Sequence, residues 1–146
     1  MVTIEPIDGI ALIEAMKDSV ARHHAEMTMG DDYGEINVDW DYYRDLTIDG
    51  LIHATALKDV DKLVGYVIFS ISRNPRHKEM MDAISQGIFV EPQYRSEWSA
   101  LLLKSAVANI KEQHPKVDVS FLVNDPSVGK WLGMQGAKQT YQVWSF

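Results

Sequence analysis

Apolar residues change their spacing several times along the chain, and each change marks an element. Val2-Thr3-Ile4-Glu5-Pro6-Ile7 reads as a short strand. Pro6 has no N–H for a ladder, so this strand belongs at a sheet edge. Asp8 then stands where a helix cap is needed, and Ile10, Ile13, Met16 and Val20 share one helical face. Residues 29–41 hold Gly30 and Gly34 and read as a loop. A second short helix follows, with Trp40, Tyr43 and Leu46 on its apolar side. Asp49-Gly50 signals a turn. Residues 51–57 and the branched run 63–71 then make a hairpin about the polar turn 59–62. Asn74-Pro75 ends it, and a polar connection with Arg76, His77 and Lys78 leads to a strand over 82–90.

Pro92 stops that strand. Ser96 is the expected cap of the longest helix, over 97–113, whose stripe is Leu103, Val107 and Ile110 with Ala100 and Ala106 beside it. His114-Pro115 ends it. Residues 117–123 alternate with period two and predict a strand. Asn124-Asp125-Pro126-Ser127 opens a short helix through Met134, which Gly136 closes. Residues 137–146 are expected to form a last strand, single and bent or paired. Strand 82–90, helix 97–113 and strand 117–123 make a crossover unit, hence a parallel pair, whereas the hairpin before it is antiparallel. The expectation is one α/β domain spanning 1–146, a mixed sheet of about six or seven strands flanked on both faces by about four helices.

Composition narrows the chemistry. The chain has 146 residues and no cysteine, which excludes disulfides, Cys-ligated zinc, iron–sulfur clusters and thiol catalysis. No apolar run approaches a membrane span and no leader is seen, so a cytoplasmic protein is expected. Fourteen Lys and Arg stand against 21 Asp and Glu, a formal charge of −7. That balance argues against nucleic acid and against an anionic membrane surface as partners. It suits a small-molecule amine or a basic protein surface.

Asp31, Asp32, Glu35, Asp39 and Asp41 crowd one loop with Tyr33, Trp40, Tyr42 and Tyr43. Carboxylates and ring faces both favour cations, so Asp31, Asp32, Tyr33, Glu35 and Trp40 are candidate contacts for an amine, or else a solvated loop with helix caps. Arg22-His23-His24 with Glu26 lacks metal spacing, and no metal is expected. Trp98, Trp131 and Trp144 read as core anchors or as the contact of a homodimer.

The stretch Gly87-Ile88-Phe89-Val90-Glu91-Pro92-Gln93-Tyr94-Arg95, with the long helix after it, the strand ending in Asn124, and Gly136, resembles the GNAT-type N-acetyltransferases. The resemblance covers the element order of the whole chain and is specific over about Ile88 to Leu102. Asn74-Pro75-Arg76-His77 is similar to phage-encoded members of that family. It implies a GNAT-like fold and acetyl-coenzyme A as cofactor, its diphosphate at a helix N-terminus whose N–H groups carry partial positive charge. By that resemblance Arg95, Ser96, Glu97, Trp98, Ser99 and Ala100 hold the diphosphate, Asn124 the pantetheine arm, and the backbone at Phe89 and Val90 the thioester carbonyl. The family's pattern has a central glycine where this chain has Trp98, and Glu97 adds a like charge. The position often held by a tyrosine acid is Leu132, and Ala137 follows Gly136. His77 and Asp82 are the nearest candidates for a general base. Two functions follow: acetyl transfer to an amine, or a fold retained without chemistry as a binding or assembly protein acting through its acidic surface.

Overall fold

The computed structural model describes residues 1–17, 19–26, 37–123 and 126–140. In chain order these form β1 (Val2–Ile7), α1 (Gly9–Met16), α2 (Val20–Glu26), α3 (Trp40–Ile48), β2 (Ile52–Asp59), β3 (Lys62–Arg73) and β4 (Met81–Val90). A 3₁₀ turn over Pro92–Tyr94, α4 (Arg95–Gln113), β5 (Val117–Ser120) and α5 (Pro126–Met134) complete them. The sheet runs β1-β2-β3-β4-β5, antiparallel through β4 and parallel between β4 and β5. Edge placement of β1 follows from Pro6, as expected.

The sheet has two dressed faces. On one, Val67, Phe69 and Ile71 pack with Leu102, Leu103, Ala106 and Ile110 of α4. On the other, Tyr66, Ile68 and Phe89 pack with Leu12 and Met16 of α1. Alternate residues of β3 supply the two sets, which is what the period of a strand requires. Each wholly buried aliphatic side chain contributes roughly 1.5–3 kcal/mol, so both helices are firmly seated.

The described residues hold five strands, close to the expected count; the expected last strand is absent from 137–140, and its remainder, 141–146, lies outside the described residues. Three further expectations are corrected. The first helix divides, because the Ser19 backbone N–H and hydroxyl both bond the Met16 carbonyl, at 2.9 and 3.2 Å, and close a turn after α1. The described helices therefore number five. Strand β5 ends at Ser120 instead of Val123, since β4 turns away from it. Helix α4 begins at Arg95 with Tyr94 at the cap position and no side chain bonding there, so Ser96 lies inside its first turn and is not the cap.

Candidate functional site

The site starts from one extra residue. Ile68 pairs with Gly87 and Phe69 with Ser85, so Gln86 is a bulge in β4. A bulge bends its strand and raises its twist. Pairing with β5 stops there, at Ile84 opposite Ser120. The buried Ser85 hydroxyl accepts the Leu122 N–H at 2.8 Å and pins the point of divergence. Beyond it, the 85–90 segment of β4 has no described strand on that side. The Glu91 N–H bonds the Val64 carbonyl at 2.8 Å. By alternation, the backbone groups of Ile88 and Val90 then face away from β3, into the gap.

At the end of β4 the chain turns through Pro92–Tyr94 into α4. The Tyr94 hydroxyl donates to Asp59 at 2.6 Å and ties this turn to the β2–β3 hairpin. The mouth of α4 stands beside the gap, because Arg95 at its start reaches the gap-facing Val90 carbonyl. Arg95 donates from Nε to the Val90 carbonyl at 2.7 Å and pairs with Glu26. Glu97 is exposed at the same turn, whereas the half-buried Trp98 packs against the α4-face core.

Helix α2 lies across this corner. Arg22 and Glu26 are one turn apart and share a face. Arg22 meets both carboxylate oxygens of Glu91, at 3.0 and 2.7 Å, as a fork. Glu26 meets Arg95. The two ion pairs run in opposite senses, so α2 is clipped to the strand end and to the helix mouth at once.

Between them, His23 points into the α1-side face. Its Nδ1 lies 2.6 Å from the Tyr66 hydroxyl, and its ring packs on those of Tyr66 and Phe89. Burial pushes its pKa below the usual 6.5, and the charges of His24 and Arg95 act in the same sense against Glu26. The imidazole is therefore neutral at pH 7. Burial pushes the Tyr66 phenol far above its usual range, so it keeps its proton. These two residues face a cleft of about 340 Å³ walled by α1, α2, α3 and the bulge of β4.

The structure brings Phe89, Val90, Arg95, Ser96, Glu97, Trp98, Ser99 and Ala100 together at one corner, the first two buried and Arg95, Ser96 and Glu97 exposed. Trp40 lines the cleft. Asp31, Asp32, Tyr33, Glu35 and Asn124 lie outside the described residues. His77 and Asp82 do not join the corner. Asp82 is eight residues back along β4, roughly 26 Å at 3.3 Å per residue. It accepts from Asn74 at 3.0 Å, and the exposed His77 donates its backbone N–H to the same Asn74 side chain at 3.0 Å. Trp98 and Trp131 each pack against the α4-face core, and Trp144 is outside the described residues. Among the described residues no three metal-ligating side chains gather. Nor is any described helix long and apolar enough to cross a membrane. Sequence reasoning named Arg22, His23 and Glu91 only within motifs and did not place them at this corner, and it did not single out Tyr66; the signal at hand was a histidine flanked by charges in a short helical segment.

Comparison with known proteins bears on the fold. No family model and no curated protein matches the chain. Solved structures do. An aminoglycoside acetyltransferase from an uncultured soil metagenomic sample superposes with a TM-score of 0.76 at 10% identity, over 100% of this chain and 97% of that one. A predicted acetyltransferase from Clostridium acetobutylicum, solved with acetyl-CoA, gives 0.69 at 14% identity, over 100% and 96%. A GCN5-related N-acetyltransferase from Ralstonia eutropha gives 0.69 at 13% identity, over 100% and 99%. The fold is thus the mixed α/β fold of the GNAT acetyltransferases.

Proposed function

We propose that the protein transfers an acetyl group from acetyl-coenzyme A to an amine. The observation that carries this reading is the gap beyond Ile84 and Ser120, with the Val90 backbone facing it and the mouth of α4 beside it. The mouth carries no side-chain cap, which fits a diphosphate held by Arg95 and the first turn of α4. Asn124 would contact the pantetheine arm, by resemblance alone. Bound there, acetyl-coenzyme A supplies an activated thioester. The Val90 N–H would hold its carbonyl oxygen as charge develops on it. The amine nitrogen then forms the C–N bond as the C–S bond breaks. The incoming ammonium sheds one proton to water before it attacks, and the second N–H proton goes to the departing thiolate; His23, neutral at pH 7 and engaged by the Tyr66 hydroxyl and the Ile88 backbone, lines the approach of the amine. Arg22 and Tyr66 position His23. His77 and Asp82 keep no part, because a base must reach the reacting nitrogen directly or through one water.

One observation favours a second reading. Arg95, the residue expected at the diphosphate, is already engaged by Glu26 and the Val90 carbonyl. A corner that satisfies itself suits a catalytically inactive protein that binds a basic partner through its acidic surface. The phage-encoded variety of that reading rests on Asn74-Pro75-Arg76-His77 alone.

A thermal shift with acetyl-coenzyme A separates them. For a dissociation constant of tens of micromolar, about 1 mM ligand stabilises the fold by about 2–3 kcal/mol through mass action. The wild type should melt higher and release thiol when an amine is added, and Arg95→Ala should lose most of the shift. No shift at millimolar ligand would leave the binding-protein reading.

A further inference from the structure

The cleft beside His23 is more specific than an amine site in general. Its walls are Ile13 and Met16 of α1, Val20 of α2, Trp40 and Tyr43 of α3, and Ile68 of β3. At about 340 Å³ it sits at the low end of small-molecule sites, too small to enclose an oligosaccharide. Among its described residues the only carboxylate is Asp39, whose Oδ1 is engaged by the Tyr42 N–H at 2.9 Å as the cap of α3. Against this described wall an apolar body gains by burial, whereas an ammonium group loses water wherever it meets Ile13, Met16, Val20 or Ile68. The inner end differs. There the polar groups are His23 and Tyr66, and the floor is Gly87 and Gln86.

We propose that this cleft takes a primary amine carried on a single apolar, ring-sized body, the ring against Trp40, Tyr43 and Ile68 and the nitrogen toward His23. The assignment rests on the transfer reading for the amine itself and on the lining residues for its body. Ring faces of Trp40 and Tyr43 favour an aromatic or a flat aliphatic ring, by offset or edge contacts. Gly87 supplies a discriminating substitution. A Cβ there would lie 3.5 Å from His23 Cε1 and 3.8 Å from the Tyr66 ring, which are ordinary contacts. Gly87→Ala should therefore fold, with a melting temperature equal to or above the wild type, since alanine also restricts the unfolded chain. Its methyl group fills the floor where the nitrogen must sit.

The test uses 2-phenylethylamine and spermidine as probes, each titrated into the full chain while Trp fluorescence and amide NMR shifts are followed, and each then assayed for thiol release with acetyl-coenzyme A. The expected result is at least tenfold tighter binding of 2-phenylethylamine, with shifts at Trp40, Tyr43 and Gly87. Gly87→Ala should weaken that binding at least fivefold while folding normally. Equal or tighter binding of spermidine would overturn the proposal, as would silence toward both probes, or an undiminished affinity in Gly87→Ala. Binding of 2-phenylethylamine at these residues without thiol release would uphold the cleft's ligand class and remove the transfer reading instead.

Discussion

Replacing Arg22 by Met tests whether α2 is held to the sheet by its fork on Glu91. Methionine keeps an apolar stem of similar reach and removes only the two N–H contacts at 3.0 and 2.7 Å. The Glu91 side chain is 7% exposed and that of Arg22 58%. Breaking a wholly buried pair costs about 3–5 kcal/mol, and an exposed pair is worth under about 1 kcal/mol. With one partner dry and the other wet, about 2 kcal/mol is expected. For a chain of this length that lowers the melting temperature by about 6–7 °C. A double-mutant cycle with Glu91→Gln isolates the pair from any change in packing. Chemical denaturation of the four proteins should give a coupling of about 2 kcal/mol. A coupling below about 0.5 kcal/mol would show that the fork is an ordinary surface pair. His23 would then need another anchor.

Two further outcomes follow. Glu26→Gln releases Arg95 from a pair exposed at both ends, worth under about 1 kcal/mol. Affinity for acetyl-coenzyme A by titration calorimetry should therefore rise, by at most about fivefold, and a fall would contradict the competition. The second concerns His53, which is 7% exposed with neither ring nitrogen hydrogen-bonded to a described residue. Burial holds its pKa below 6.5, as does nearby His114. The unfolded chain takes the proton first as pH falls through about 6.5, so stability drains below that pH. His53→Leu should raise the melting temperature at pH 7 by removing an unsatisfied polar group, and raise it more at pH 5; equal gains at both would deny the titration. His23 carries the same sign, so some acid sensitivity should remain.

Spacing and punctuation made most of the fold legible. Pro6 placed β1 at an edge, Asp8 capped α1 through Ile10 and Ala11, and Gly136, at φ 92°, closed α5. Where reading failed, competing local bonds decided. The Ser19 hydroxyl ended a helix whose apolar face continued to Val20, a choice that periodicity does not register. Residues 121–123 alternate like the strand before them, yet the Gln86 bulge on a different strand removed their partner. The corner of the site was legible because strand, turn and helix are contiguous from Ile88 to Ala100. Its cover was not, because α2 arrives from some seventy residues earlier through Arg22–Glu91 and Glu26–Arg95, and pairings at that separation leave no local pattern. For the same reason His77 and Asp82, close to the motif in sequence, proved remote along an extended strand.

The central claim is that the gap along β4 and the mouth of α4 form one ligand site. Amide NMR of the isotope-labelled chain during addition of acetyl-coenzyme A reads it directly. The account predicts saturable shifts at Ile88, Val90, Ser96 and Glu97, with small changes at His77 and Asp82. No shifts at millimolar ligand, or shifts confined to residues away from that corner, would contradict it.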